Sequence, residues 1–275
     1  MTMFASRLPA WVGVLLVAAF LLATLGLTYI AKRRCALTPE LSRKIMHLGL
    51  GASALAFPWL FHSSWPPIVI AAMTIGVLVV LRAGALGREA GTVVHGIARR
   101  SEGDLYFPIA AALAFALARG DTLVYSIPLL TLSLADSVAA VVGRRYGRTH
   151  YPTLDSHARK SAEGSLAFFV VAFFTTCVSL TAGASMPPID ALLIAAVFAI
   201  HVTLIEAASW RGLDNLFVPV IGLLLLRRFL AMGARPLTTL LVVTIALLML
   251  LLSVWRPRPA RRQSAARFAR TRGVV

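Results

Sequence analysis

Apolar residues come in long continuous blocks along this chain, separated by short polar stretches. The blocks fall at about 9–31, 47–62, 66–82, 105–119, 122–142, 164–183, 189–209, 214–232 and 236–254. Most are about twenty residues long, the length at which an α-helix crosses a ~30 Å hydrocarbon core. In lipid only helices and closed barrels satisfy every backbone polar group. The blocks are continuous rather than alternating, which selects helices. The pattern predicts an all-α, polytopic transmembrane helical bundle of about nine spans (seven to nine), because 47–62 and 105–119 are short. The block at 214–232 carries Arg227 and Arg228 near its end, and their heads must snorkel to water. The first block is too long for the apolar region of a cleaved signal peptide and reads as a retained helix.

Composition leaves little else to explain. Of 275 residues 59% are hydrophobic, and the mean hydropathy is +0.81. A single integral membrane domain over 1–255 is expected, followed by a basic, disordered cytoplasmic tail over 256–275. Cys35 and Cys177 are too few and too far apart for a metal site or a disulfide framework.

Charge changes the picture in two ways. The 27 lysines and arginines against 11 acidic residues give a formal charge of +16, a balance that can signal nucleic acid. Here, however, the basic residues sit in short loops between apolar blocks, so no nucleic-acid partner is expected. With nine spans, one side collects Lys32, Arg33, Arg34, Arg43 and Lys44, then Arg82, Arg88, Arg99 and Arg100. It also takes Arg144, Arg145, Arg148, Arg159, Lys160, Arg211 and the tail, making 22 of the 27. The other side has Arg7, Arg119, Arg227, Arg228 and Arg235. The positive-inside rule then places the N-terminus outside and the C-terminus in the cytoplasm. The acidic residues, which that rule hardly counts, gather on the same side: nine of 11, with Asp121 and Asp190 the exceptions. Asp136 and Glu206 even lie inside apolar blocks near their cytoplasmic ends. A membrane-embedded carboxylate is costly and points to function, the alternative being a structural pair with a neighbouring arginine.

The stretch from Asp136 to Gly164 is the richest in candidate chemistry. Asp136 is expected to end a helix about two turns before Gly143. Gly143 and Gly147 then bracket Arg144, Arg145 and Arg148 in a short loop. Glycines let backbone approach a ligand closely, and arginine forks fit phosphate oxygens. Lys160, Ser161, Glu163 and Gly164 open the next helix, whose N-terminus favours an anion. This suits a nucleoside triphosphate with Mg²⁺; an ordinary positive-inside loop is the alternative. A second patch, Ser42-Arg43-Lys44-Ile45-Met46-His47, puts Arg43 and His47 on one helix face. His47 could carry a proton or be structural. A third patch joins Glu206 to Asp214 and Asn215, where the carboxylates could hold a metal or activate a hydroxyl, or Gly212 to Asn215 could be a capping turn. Glu102-Gly-Asp104-Leu-Tyr106 forms a fourth. No GxxxxGK[ST], GxSxG, HExxH or CxxC motif is present. The polar groups lie at one interface rather than at mid-membrane, unlike a transporter. That points to an enzyme meeting a charged soluble reactant at the cytoplasmic surface and a lipid in the bilayer.

At these residues the sequence resembles the CTP-dependent lipid kinases: phytol kinase, dolichol kinase and the CTP-using diacylglycerol kinases, with the phosphatidate cytidylyltransferases as wider relatives. The resemblance covers about 38–232. It rests on SRKIMH at 42–47, GDLYFP at 103–108, DSVAAVVGRRYGR at 136–148, KSAEGS at 160–165 and EAASWRGLDNLFVP at 206–219. RGLDN after the embedded glutamate brings it nearest to bacterial and plastid phytol kinase-like proteins. The resemblance implies CTP as phosphoryl donor, Mg²⁺ as cofactor, and phytol, another polyprenol or diacylglycerol as acceptor. The setting is the cytoplasmic face of the inner membrane.

Carried over, the nucleotide-binding set is Arg43, Lys44, Gly143, Arg144, Gly147, Arg148, Ser161, Gly164 and Asn215, with Lys160 on the phosphates. Mg²⁺ would be held by Asp136 and Glu163, and Glu206, Asp214 or His47 would orient or deprotonate the lipid hydroxyl. Two departures stand out. The loop from Thr149 to Arg159, with Asp155 and His157, looks longer than usual, and Arg159 stands where a second lysine is common. The alternative activity is phosphatidate cytidylyltransferase, and a transporter or scaffold is the non-enzymatic alternative.

Overall fold

The computed structural model describes residues 8–35, 37–82, 102–153 and 159–254. The expectations for the tail over 256–275, for Asp155 and His157, and for Arg88, Glu89, Arg99 and Arg100 lie outside the described residues. So do the side chains of Glu40 and Arg159.

Helices occupy all nine apolar blocks. In chain order they are α1 (Ala10–Cys35), α2 (Pro39–Leu55), α3 (Phe57–Leu60), α4 (Trp65–Arg82), α5 (Gly103–Ala118) and α6 (Thr122–Tyr146). After a hairpin of β1 (His150–Pro152) and β2 (Arg159–Ser161) come α7 (Ala162–Val178) and a π-helical turn (Ser179–Gly183). The last three are α8 (Pro188–Ala208), α9 (Asp214–Leu230) and α10 (Ala234–Val254). The protein is all-α apart from the hairpin. Among the described residues, six helices are long and apolar enough to cross a membrane: α1, α4, α6, α7 with its π turn, α8 and α10. The nine expected spans include three more, α2, α5 and α9, which are 17, 16 and 17 residues long. α2 and α9 also carry site charges, which thin their apolar length.

Local chemistry sets the helix ends. Thr38 caps α2, accepting from Leu41 N at 3.3 Å, with Pro39 in the first turn where its missing N–H costs nothing. Asp121 caps α6 through Leu123 N and Val124 N at 3.0 and 3.1 Å. Ser161 caps α7 through Gly164 N at 3.1 Å. α5 stops at Arg119 and Gly120, both left-handed, with φ of 50° and 87°.

α6 is the centre of the bundle, packing on α7, α9 and α2, while α9 also lies against α5 and α8. α4 bridges α1 and α5, and α10 lies outside on α8. Between helices in lipid the apolar effect is weak, so close packing and buried hydrogen bonds carry association. Gly51 on α2 leaves room for Ser133 on α6, and Gly222 on α9 fits against Pro128. Tyr125 donates to Ala54 O at 2.8 Å and stands edge-on to Phe115, which meets Phe57. Large apolar side chains on the outer faces of α1, α4 and α10 stay exposed, as a lipid-facing surface requires.

Candidate functional site

One end of the bundle brings together the start of α2, the last turns of α6, the hairpin, the end of α8 and the start of α9. Lys44 on α2 is 4% exposed. Its Nζ donates to Asp136 Oδ2 at 2.5 Å and to the Asp136 carbonyl at 3.1 Å. His47, one turn on, presents Nε2 at 3.6 Å from the same carboxylate oxygen. That nitrogen is buried without a hydrogen-bond partner among the described residues.

A second lysine repeats this grip. Lys160 donates to Glu206 Oε1 at 2.7 Å and to the Glu206 carbonyl at the end of α8, and Asp214 Oδ2 lies 3.9 Å away. Burial works against the Lys160 ammonium, but the Glu206 and Asp214 carboxylates outweigh it, so its pKa is raised above the ordinary value. Lys160 is held in place by the hairpin, where it pairs across from Tyr151. The Tyr151 hydroxyl meets Ser165 Oγ at 2.6 Å, and burial raises its pKa. The fields of Asp136, Lys44 and Lys160 all reach Asp214, so the two lysine groups form one cluster.

The expected loop at 143–148 is different in the structure. α6 runs on to Tyr146 and only then yields to Gly147, so Asp136 lies well inside the helix. The reason is packing. A Cβ on Gly143 would meet Ser161 Oγ at 2.9 Å, and one on Gly164 would meet Ala139 O at 3.2 Å and Gly143 Cα at 3.3 Å. Gly147 faces Ser161 as closely. The three glycines let α6 and α7 touch around the Ser161 cap, a need independent of any ligand. Arg144 and Arg148 are exposed at this rim. Glu163 accepts from Thr149 N with both oxygens, at 3.0 and 3.3 Å, and so braces the hairpin. Among the described residues no contact joins it to Asp136, the partner expected for Mg²⁺.

The turn after α8 is strained: Arg211 and Gly212 are both left-handed, with φ of 53° and 89°. It is tied to α5 through Glu102 N donating to Arg211 O at 3.0 Å. Leu213, with no side-chain cap, holds the cap position of α9. Asp214 is thereby left to face Lys160, and Asn215 is set against Gly103. Asn215 is 5% exposed, and its Oδ1 has no hydrogen-bond partner among the described residues.

Below this cluster, between α1, α2 and α4, lies a cavity of about 910 Å³, counting its open mouth. Its walls are apolar, and Arg43, His47, Asp104 and Asn215 stand at its polar end. Asp104 pairs there with Arg82 at 2.5 Å.

The phytol kinase of Synechocystis sp. is 31% identical to this chain over 178 residues, 63% of the chain and 73% of the relative. The chain belongs to the phytol kinase family. No family model and no solved structure matches it. In this member of the phytol kinase family, six expected site residues, Lys44, His47, Asp136, Lys160, Glu206 and Asp214, meet in one cluster, with Arg43 and Asn215 beside it. Ser161, Gly143, Gly147 and Gly164 form the packing floor, and Glu163, Arg144 and Arg148 stand at the rim.

Sequence reasoning missed the hairpin and with it Tyr151. The run Thr149-His150-Tyr151 is short, but it holds two residues that favour strands, and Pro152 ends it. The Lys44–Asp136 pair joins residues far apart in sequence and left no local trace.

Proposed function

We propose that this protein is a membrane-embedded kinase that transfers the γ-phosphoryl of CTP to a lipid alcohol, phytol or another polyprenol first and diacylglycerol second. The observation that carries the proposal is the position of His47. It faces Asp136 on the charged side and lines the apolar cavity on the other. A lipid hydroxyl in that cavity would lie beside a buried, unpartnered ring nitrogen, with two lysines gathered above it.

In the reaction the hydroxyl oxygen bonds to the γ-phosphorus, the bond from that phosphorus to the β–γ bridging oxygen breaks, and CDP leaves. The hydroxyl proton passes to His47 Nε2, next to Asp136. Lys44, Lys160 and Arg43 offset the phosphate charge, with Arg144 and Arg148 at the rim. Positioning and charge neutralisation dominate phosphoryl transfer.

Among the described residues no three His, Cys, Asp or Glu side chains form a metal cage. Mg²⁺ rarely needs one, being held by one or two carboxylates plus substrate phosphates. Asp136 and Glu206 fit this pattern, and the buried Glu206 Oε2 has no hydrogen-bond partner among the described residues. Bound there, the metal would supply further neutralisation of the triphosphate. The distribution of basic residues supports a cytoplasmic site in the inner membrane, with the N-terminus outside.

The test uses purified protein with Mg²⁺ and CTP labelled separately at the α- and γ-phosphates, offered phytol, a polyprenol, diacylglycerol and phosphatidate in turn. γ-Label in a lipid is expected. α-Label in a lipid would make this a cytidylyltransferase, and no transfer to any lipid would overturn the enzymatic reading.

A further inference from the structure

The cavity beside His47 continues past its wide upper part. A second, narrower cleft shares Leu21, Leu50 and Thr74 with it and runs on to Ile70 and Pro67 of α4, Ser53 of α2 and Phe57 of α3. From Leu81 at the top to Pro67 at the bottom, α4 rises about 21 Å at 1.5 Å per residue. That is roughly two thirds of a ~30 Å hydrocarbon core, more than one leaflet.

Three features describe the occupant. The space narrows from about 910 Å³, open mouth included, to about 240 Å³ below Thr74, so a second chain beside the first has no room. The deep walls offer nothing polar: Thr74 donates to Ile70 O and Ser53 to Leu50 O, both at 2.8 Å. At the top, His47 Nε2 and Asn215 Oδ1 are buried without hydrogen-bond partners among the described residues. A hydroxyl is the smallest group that both accepts and donates, and leaving such buried atoms unsatisfied is costly. Leu22, Met73 and Val77 are exposed on the outer side, giving a chain sideways access from the bilayer.

We propose that this two-part cleft between α1, α2 and α4 is the acceptor-lipid site. It seats one long apolar chain, hydroxyl first at His47 and Asn215 and tail threaded past Thr74, whose side chain gauges chain number and length. Lipids with two acyl chains are excluded at that waist. The assignment of the hydroxyl as phosphoryl acceptor rests on the kinase reading above; the lipid site itself does not.

The first experiment therefore needs no nucleotide. The protein in lipid nanodiscs is photolysed with a long-chain alcohol carrying a diazirine at its tail, and adducts are mapped by mass spectrometry. Labelling is expected on residues 50–57 and 67–74, displaced by unlabelled long-chain alcohol and not by diacylglycerol. Labelling elsewhere, or equal displacement by diacylglycerol, overturns the proposal. In a second experiment Thr74→Trp should lower labelling by the long-chain probe about tenfold, as filling a tight apolar pocket does. It should shift kcat/KM by a similar factor toward short alcohols. Undiminished labelling of a Thr74→Trp protein with a wild-type melting curve also overturns it, and Thr74→Leu gives a milder version should the tryptophan not fold. Protein labelled in the cleft that transfers no phosphate would keep the lipid site and refute the kinase reading.

Discussion

Lys160 can be tested for structure and chemistry separately, because its partners are buried and few. Glu206 is 7% exposed and draws one hydrogen bond from Lys160 at 2.7 Å and a second at its own carbonyl. Lys160→Met removes the charge while keeping most of the apolar stem, leaving Glu206 buried with Asp214 nearby and no cation. Breaking one side of a buried pair costs about 3–5 kcal/mol. Lys160 retains some exposure, so the lower part of that range, about 2–3 kcal/mol, is expected after allowing for screening. The double variant Lys160→Met with Glu206→Gln removes the stranded charge, and most of the lost stability should return, because removing both charges of a buried pair is often neutral. Activity should not return. Loss of a preorganised charge on the transferring group costs on the order of 10²–10³ in rate. The assays are thermal unfolding in detergent and γ-label transfer from CTP, on the wild type, both single variants and the double. Recovery of turnover together with stability in the double variant would mean that Lys160 only props up Glu206, and its catalytic role would fall.

Three further expectations can be checked with the same preparations. His47→Gln should lower turnover by about 10²–10⁴, the usual worth of a general base, with nucleotide binding by calorimetry little changed; a variant with wild-type turnover would move the proton acceptor elsewhere. Gly164→Ala should destabilise by about 1–3 kcal/mol, because the new methyl meets Ala139 O at 3.2 Å. Gly76→Ala, with nothing within 4 Å, should melt no lower than wild type. The pKa of Lys160 is raised in the folded state, so the stability from its pairing is complete below about pH 10.5 and fades as pH climbs through the raised value. The melting difference between wild type and Lys160→Met should therefore stay constant from about pH 6 to about pH 9, and a gap that closes within that window would contradict the raised pKa.

What was legible in the sequence follows from which forces are local. Apolar blocks and caps are local, so the helices over 9–31, 122–142 and 236–254 appear nearly as expected. Gathering of carboxylates on one side is also visible in one dimension, because each apolar block returns the chain to the same face. Helix continuation through Gly143 was not legible. Glycine reads as a break unless the neighbour that needs the missing side chain is known, and that neighbour, Gly164, belongs to another helix. The same holds for Asp136, whose partner Lys44 is ninety-two positions away. Glu163 shows the opposite error: its place beside Lys160 in sequence suggested the nucleotide, whereas the hairpin turns its carboxylate back to Thr149.

Burial of two lysine–carboxylate pairs in an apolar bundle has no straightforward account in stability. Taking such ions out of water costs several kcal/mol each, and apolar residues of similar volume commonly hold a fold as well. The cost would be least for lysines free to reach the interface, yet Lys44 and Lys160 turn inward, each gripping the carboxylate and the carbonyl of one residue. The two grips are separate in sequence, on α2 with α6 and on β2 with α8, and they converge at the polar end of one apolar cavity. A structural ion pair would not need a neighbour of the same kind, an unpartnered histidine between charge and cavity, or a strained turn aiming Asp214 at the same lysine. Preorganised cations above a lipid-sized space are what transfer of a charged group to a membrane alcohol requires.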